Sequence, residues 1–594
     1  MRALWWVVLA GCGTGTNGWE APPGDASNAE AEAPDLPGDS NEAPIPVGNT
    51  RALMGGGLTI AHGLAVGANA AAGRLHFVDV EGGRRLDTIE LGPDSVPFRI
   101  ALAEHEGYVS LRGTGEIAVF DTLAITEVDR WSVCAEPRGL AVDGDLLHVA
   151  CASGALLALD RATGDEVRRV LLPNDLRDIV VEGDDLWVSR FRAAEVLRVN
   201  AAGKMVQRQS PPVIQYNPQL GSGEQPFSAS VGWRLTPNPA GGVVLLHQRG
   251  LDGALDVVID VNAQVYYASD ERCESVVVSS ATAFDSDGVV ESWGLFAAPQ
   301  VLDGFVDGNE LVIASAGAEF LGAAQQHHSI RALQSSVVRC NDGPGVQPEE
   351  GRLVAVARAD SGHIVRMTQA PFTMTLNGRT IVYMQSPTSS AFDMFHGPTT
   401  DAGLSCASCH PEGNDDGRVW RFEAHGPRRT HNLAVGLSGM EPFHWSGDME
   451  TMQELLVEVF EGRMMSGPDR IRQDSGGVMV AWLDAQLLHQ SEPQLSADEV
   501  AAGQTLFWSE AVGCGTCHYG DAYSDGLSWD VGTGRMLQTP SLRGIGARGP
   551  YLHSGCADTL EARFSPECTT DFHGTTSHLE AAEVGALVAY LHTL

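Results

Sequence analysis

The chain has 594 residues, 43% hydrophobic and 19% charged, an ordinary globular composition but too long for a single hydrophobic core. The formal charge is −38 and Lys204 is the sole lysine, so the surface repels phosphate backbones; nucleic acid is disfavoured as a partner and a small basic redox protein is favoured. Past the first dozen residues no apolar run is long enough to span a bilayer, and no HExxH metal motif occurs.

Residues 1–12 read MRALWWVVLAGC, a single arginine before a short apolar stretch that ends in Leu9, Ala10, Gly11 and Cys12. This is the layout of a secretory signal. The LAGC ending resembles the lipobox of bacterial lipoproteins, whose cysteine takes the lipid. The expectation is an exported, lipid-anchored protein, periplasmic or on the cell surface. Gly13 follows the cysteine in place of an inner-membrane retention aspartate, which leans toward the outer membrane. Residues 13–50 are rich in Gly, Pro, Ala, Asp, Glu and Asn, cannot bury a core, and read as a disordered acidic linker.

From 51 to 390 short β runs are separated by turn signals such as EGG, DGD, ATGD and EGDD. Three units repeat: PFRIALAEHEGYVSLRGTGEIAVFDT from Pro97, PRGLAVDGDLLHVACASGALLALDR from Pro137 and LRDIVVEGDDLWVSRFRAAEVLRVN from Leu176, their starts 40 and 39 residues apart. A period near 40 with about four strands per unit predicts a β-propeller of about seven blades. An insertion is expected around 213–240, where Pro, Gly and Asn are dense. The region resembles YVTN and NHL-type propellers of exported bacterial proteins, a statement about fold alone.

After 391 apolar residues fall at helical spacing, as in MQELLVEVF and VGALVAYLHTL. CASCH at 406–410 and CGTCH at 514–518 fit the attachment pattern of c-type haem. Two thiols add to the porphyrin vinyl groups, and the adjacent histidine sits under the iron. Two covalently bound haems are therefore expected, on Cys406, Cys409 and His410 and on Cys514, Cys517 and His518. A zinc site is disfavoured by the histidine directly after the second cysteine in both copies.

A shift of 108 residues aligns the two motifs and carries Gly436 onto Gly544, Pro442 onto Pro550, Ser446, Gly447 and Thr451 onto Ser554, Gly555 and Thr559, and VAWL at 480–483 onto VAYL at 588–591. Residues 391–490 and 491–594 thus read as two tandem all-α cytochrome c modules. Phe395 and Phe507 are placed on the helices leading into the motifs. The same shift puts Met465 on His573 before the closing helix. Met464 or Met465 is a candidate sixth ligand for the first iron and His573 for the second. His425, His431 and Met440 compete at the first site, His553 and His578 at the second. A thioether ligand would make the first haem the higher-potential one.

Setting aside Cys12 and the four haem cysteines, six of the eleven cysteines remain: Cys134, Cys151, Cys273, Cys340, Cys556 and Cys568. In an oxidising compartment these suggest up to three disulfides, with neighbouring pairs, 134–151, 273–340 and 556–568, as the expectation.

LQTPSLRGIGARGPYLHSGCADTLEARF from Leu537 and HGPRRTHNLAVGLSGMEPFHWSGDMETMQEL from His425 resemble the two domain signatures of bacterial di-haem cytochrome c peroxidases, over roughly 390–594. The resemblance implies a peroxidatic haem in the first module, with His425 as its displaceable distal ligand and Glu454, Glu458 or Glu461 as a proton shuttle. It also implies Trp445 as an aromatic between the haems; His553 holds that place in the second module. His425 conflicts with Met464 or Met465 at the same iron, and the second module lacks the family's methionine in RFSPECTTDFHG. The functions that follow are envelope electron transfer with peroxidase-like reduction of hydrogen peroxide, fed by a small redox donor. The alternative is a scaffold whose propeller binds a partner protein or polymer while the haems relay electrons.

Overall fold

The computed structural model describes residues 50–216, 224–255, 275–294, 300–308, 310–316, 331–333, 351–385, 389–397, 404–464, 471–491 and 495–594. The signal segment, the linker up to residue 49, Cys273, Cys340 and Met465 lie outside these residues. Residues Glu42–Leu594 form one compact unit.

Seven antiparallel sheets follow one another at 58–90, 97–132, 137–171, 176–209, 214–294, 301–333 and 352–384. Their inner strands are Leu58–Ala61, Pro97–Leu102, Pro137–Asp143, Leu176–Glu182, Gln225–Pro237, Val301–Asp307 and Arg352–Arg358. Each touches the next and the last touches the first, so the sheets close into a ring. This is a β-propeller, and its blades match the repeat read from the sequence. Both faces of a blade are buried because alternate residues point opposite ways. Val109 and Leu111 enter the core shared with the first blade, whereas Tyr108 enters the core shared with the third. A disulfide, Cys134–Cys151, joins the second blade to the third.

The expected insertion is an overlong fifth blade. Its strand Gln225–Pro237 pairs with Val243–Leu251, and the end of this pair away from the hairpin carries the C-terminal region. Arg418 donates there to the carbonyls of Ser228, Gly250 and Leu251 and pairs with Asp252 at 2.8 Å. Ala254–Leu255 runs parallel to Arg421 and Phe422 in the same sheet.

Residues 390–594 are not all-α. Long irregular segments and short strands connect the short helices α1 (Ser390–His396), α2 (Cys406–Cys409), α3 (Met452–Leu455), α4 (Ser475–Asp484), α5 (Ala497–Phe507) and α6 (Ala581–Leu591). A π-helical turn, Leu456–Arg463, continues α3. The reason is local: Gly, Pro and Asn fill the stretches between the motif and the closing helix, and their backbones satisfy themselves in turns. The helices that do form pair the same way twice, α1 against α4 and α5 against α6. Phe395 meets Trp482 with ring centres 4.9 Å apart and the planes tilted by 53°, and Phe507 meets Tyr590 at 5.2 Å. Gly503 permits the second crossing, since a Cβ there would stand 1.8 Å from the Ala586 carbonyl oxygen.

The 108-residue shift also holds in three dimensions. His444 and Leu552 share a left-handed backbone, as do Gly436 and Gly544 and Gly447 and Gly555. Phe443 bridges Met449 as Tyr551 bridges Ala557. Thr451 caps through the Glu454 amide and Thr559 through the Ala562 amide.

Candidate functional site

Each CxxCH segment follows the first helix of its pair and ends on a histidine fixed by main chain. His410 Nδ1 lies 3.1 Å from the Asn414 carbonyl oxygen and His518 Nδ1 2.9 Å from that of Tyr523. A carbonyl only accepts, so Nδ1 carries the hydrogen and Nε2 keeps its lone pair. Burial holds His518 down to about 4 and lowers His410 as well, so both rings are neutral near pH 7, as a metal ligand requires. Cys406, Cys409, Cys514 and Cys517 are half-buried and take no part in a disulfide. Four such cysteines and two oriented imidazoles fit a thioether-linked porphyrin twice over.

The second site has a further imidazole in place. The ring of His573 lies 6.3 Å from that of His518, tilted by 36°. Two imidazoles binding one metal from opposite sides, each at about 2 Å, have ring centres about 6 Å apart. Burial and the Arg563 guanidinium keep His573 neutral, and Arg563 anchors the segment by donating to the His573 carbonyl at 2.6 Å. Of the competitors, His578 is exposed and His553 faces Trp445 at 6.1 Å.

At the first site, Met464 ends the π-helical turn and packs against the apolar cluster that Cys406 also joins. Met440 is buried in that cluster. His425 occupies the turn between strands Val419–Phe422 and Gly426–Arg429, half-buried, with its carbonyl accepting from Arg535 at 3.2 Å. His431 is half-buried and stacked on Trp445, ring centres 4.3 Å apart, with its shielded Nε2 unpartnered. Glu454 accepts from the Glu450 amide; Glu454 and Glu458 face solvent and Glu461 is half-buried.

Trp445 is where the modules meet. It stacks on His431 of its own module, faces His553 of the other, donates from Nε1 to the Arg429 carbonyl at 2.7 Å, and accepts at its carbonyl from the Gln538 amide at 2.8 Å.

Sequence reasoning missed how the first site is mounted. The PEGNDDG segment directly after CASCH is buried against the propeller axis. Glu412 pairs with Arg112 at 2.8 Å and Arg177 at 2.7 Å, and all three side chains are at most 3% exposed. Asp415 pairs with Arg192 and Arg429. The arginines pull the Glu412 and Asp415 carboxyls down to about 2 against burial. The ring of Phe98 separates the guanidiniums of Arg99, Arg112 and Arg177, each within 5 Å of its centre. The signal was present: Arg99, Arg138 and Arg177 recur in the inner strand of three successive repeats.

No family model matches the chain, so the peroxidase resemblance stands on its motifs alone. In sequence the chain is homologous to a protein named hydrazine synthase subunit gamma from Kuenenia stuttgartiensis, 28% identical over 254 residues, covering 32% of this chain and 72% of the relative. Among solved structures, one of Kuenenia stuttgartiensis hydrazine synthase aligns at 14% identity and TM-score 0.42, covering 57% of this chain and 98% of that one. A streptogramin B lyase aligns at 14% identity and TM-score 0.37, covering 56% and 95%.

Proposed function

We propose that this chain is a di-haem c-type cytochrome that transfers electrons, with the propeller as the body on which the first haem module is mounted. The observation that carries the reading is the pairing of two CxxCH segments with main-chain-locked histidines, one of them faced by His573. Cys406 and Cys409, and Cys514 and Cys517, would tether the two groups covalently. His410 and His518 would bind from one side and His573 from the other at the second site. Each haem, when bound, accepts and releases one electron. The chain's own residues do the rest. The Asn414 and Tyr523 carbonyls fix the ligand tautomers, and the His431–Trp445–His553 contact bridges the modules without a gap. Two imidazoles at the second site give a lower potential than a thioether from Met464 or Met465 at the first.

The finer reading is peroxide reduction at the first site, with His425 as a displaceable ligand. A relative named as an enzyme subunit supports a redox-enzyme setting, and the chain then works within a larger assembly. Export is supported by the Cys134–Cys151 and Cys556–Cys568 disulfides, which persist in oxidising compartments. Lipid attachment at Cys12 and a small basic electron donor complete the proposal. Electron paramagnetic resonance through a redox titration of the purified protein tests it. Two haems, one of them low-spin with two nitrogen ligands throughout, are expected. A half-reduced state with a high-spin first haem that turns over peroxide establishes the finer reading; two closed haems that ignore peroxide leave electron transfer alone.

A further inference from the structure

We propose that the propeller axis, at the level beyond its contact with the first module, is a binding site for a small monocarboxylate, and that Arg234 holds the ligand. The inference does not depend on the haem reading.

A propeller leaves a channel where its inner strands converge. In this chain the channel is filled at one level and open at another. At the starts of the inner strands, Arg138 and Arg177 meet Glu136 and Glu412, and buried ion pairs occupy the axis. Four residues further along the same two strands, roughly 13 Å at the usual rise, Val142 and Val181 line a cavity of about 250 Å³. Arg99 of the second blade closes its floor by crossing the axis to Asp178 of the fourth, with Nε–Oδ1 2.5 Å and Nη2–Oδ2 3.0 Å. The other donors of Arg99 reach the carbonyls of Gly55 and Trp233, and Asp178 also accepts from the Leu235 amide at 3.0 Å. This pair is complete on both sides and needs no ligand.

Arg234 of the fifth blade also lines the cavity and is not complete. Its side chain is 27% exposed, whereas those of Arg99, Arg112, Arg138 and Arg177 are at most 5% exposed. Asp178 stands 3.6 Å from it, beyond hydrogen-bond reach. Asp303 of the sixth blade lies 3.0 Å from its Nε, yet neither that Nε nor the facing Oδ1 makes a hydrogen bond. Burial raises the Asp303 carboxyl above the usual carboxylate range, which makes it a weak counter-ion. Nε is shielded, while Nη1 and Nη2 make no hydrogen bond among the described residues and reach the open space. Two coplanar donors aimed into a cavity match the two oxygens of a carboxylate.

The walls limit what can follow that group. Leu140, Val142 and Val181 offer apolar surface for a short carbon chain. Thr59 donates its hydroxyl to the Ile100 carbonyl at 2.8 Å, so its oxygen is left as an acceptor. Asp178 and Asp303 repel a second negative charge, which favours a monocarboxylate over sulfate or phosphate.

The test uses the intact protein with acetate as the probe, and chloride and sulfate at matched ionic strength as controls. Phenylglyoxal modifies accessible guanidiniums, and peptide mass mapping reads Arg234 separately from the exposed Arg84 and Arg208 on outer strands. Acetate is expected to slow modification of Arg234 and to leave Arg84 and Arg208 unchanged. Protection is read on the wild type and does not depend on how a variant folds. Equal protection by chloride or sulfate reveals a general anion site and overturns the carboxylate assignment. No protection by acetate shows that water alone fills the channel and overturns the proposal. In Arg234→Gln, saturation transfer from the protein to the acetate methyl signal is expected to fall about tenfold. Full transfer in a folded Arg234→Gln places acetate elsewhere and overturns the role of Arg234.

Discussion

The two CxxCH modules share a skeleton and differ in how they are held. In the first, the seven residues after His410 are packed against the propeller axis and anchored by Glu412 and Asp415. In the second, the matching stretch Tyr519–Asp525 is exposed or half-exposed, and a disulfide, Cys556–Cys568, takes the place of the buried ion pairs. Both copies keep what the proposed haem would need, the helix pair, the oriented histidine and the left-handed turns. The surroundings then diverged. One copy became part of a larger body, while the other kept a solvent-facing edge.

Removing the attachment cysteines breaks the comparison most severely. Cys514→Ser with Cys517→Ser should halve the haem content measured as pyridine haemochrome and leave the propeller's near-ultraviolet circular dichroism intact. Cys406→Ser with Cys409→Ser should also cost one haem, but it should disturb that propeller signal, because the first module shares its apolar cluster with the seventh blade.

Glu412→Gln addresses the mounting itself. It leaves Arg112 and Arg177 buried with a neutral partner, and breaking such a pair costs about 3–5 kcal/mol. Arg112 retains Glu136 at 2.6 Å, which places the loss near the lower end. Thermal unfolding should show a lowered midpoint, together with a shifted potential at the first haem and an unmoved one at the second. Reduction of Cys556–Cys568 is the counterpart for the outer module. Opening a link across 12 residues costs about 2–3 kcal/mol, and it should loosen the second haem environment in the Soret spectrum while the first is unaffected.

Much of this was legible in the sequence because it is repeated. The 40-residue period foretold the propeller, and the 108-residue shift aligned the helices that carry Phe395 and Phe507 and the positions of Gly447 and Gly555. The disulfides 134–151 and 556–568 follow from proximity in sequence. What stayed hidden is non-repeated and long-range. Glu412 meets Arg177 across 235 positions, and no local pattern announces a carboxylate that is buried because a distant arginine compensates it. The all-α expectation failed for a related reason. Helical periodicity is strong in the closing helices, but the Gly- and Pro-rich stretches that follow each CxxCH segment have no period to read.

Acid supplies the finest distinction between the two halves. Asp178, buried against Arg99 at 2.5 Å, is held down to about 2 from a usual value near 4, and Glu412 and Asp415 are depressed to a similar level. A carboxyl whose folded value is depressed stabilises the fold fully above its unfolded value, and that contribution is lost as pH falls toward the folded one. The window for Asp178 therefore runs from about pH 4 down to about pH 2, and its share is about 2 kcal/mol. All three carboxylates belong to the propeller and the first module. Acidification through this window should thus perturb the first haem's spectrum and the propeller signal before the second haem's. Asp178→Asn should be less stable at neutral pH and lose part of the slope of stability against pH between 4 and 2. A slope identical to wild type would show that the Arg99 pair does not contribute to acid sensitivity, and would leave Glu412 and Asp415 to account for it.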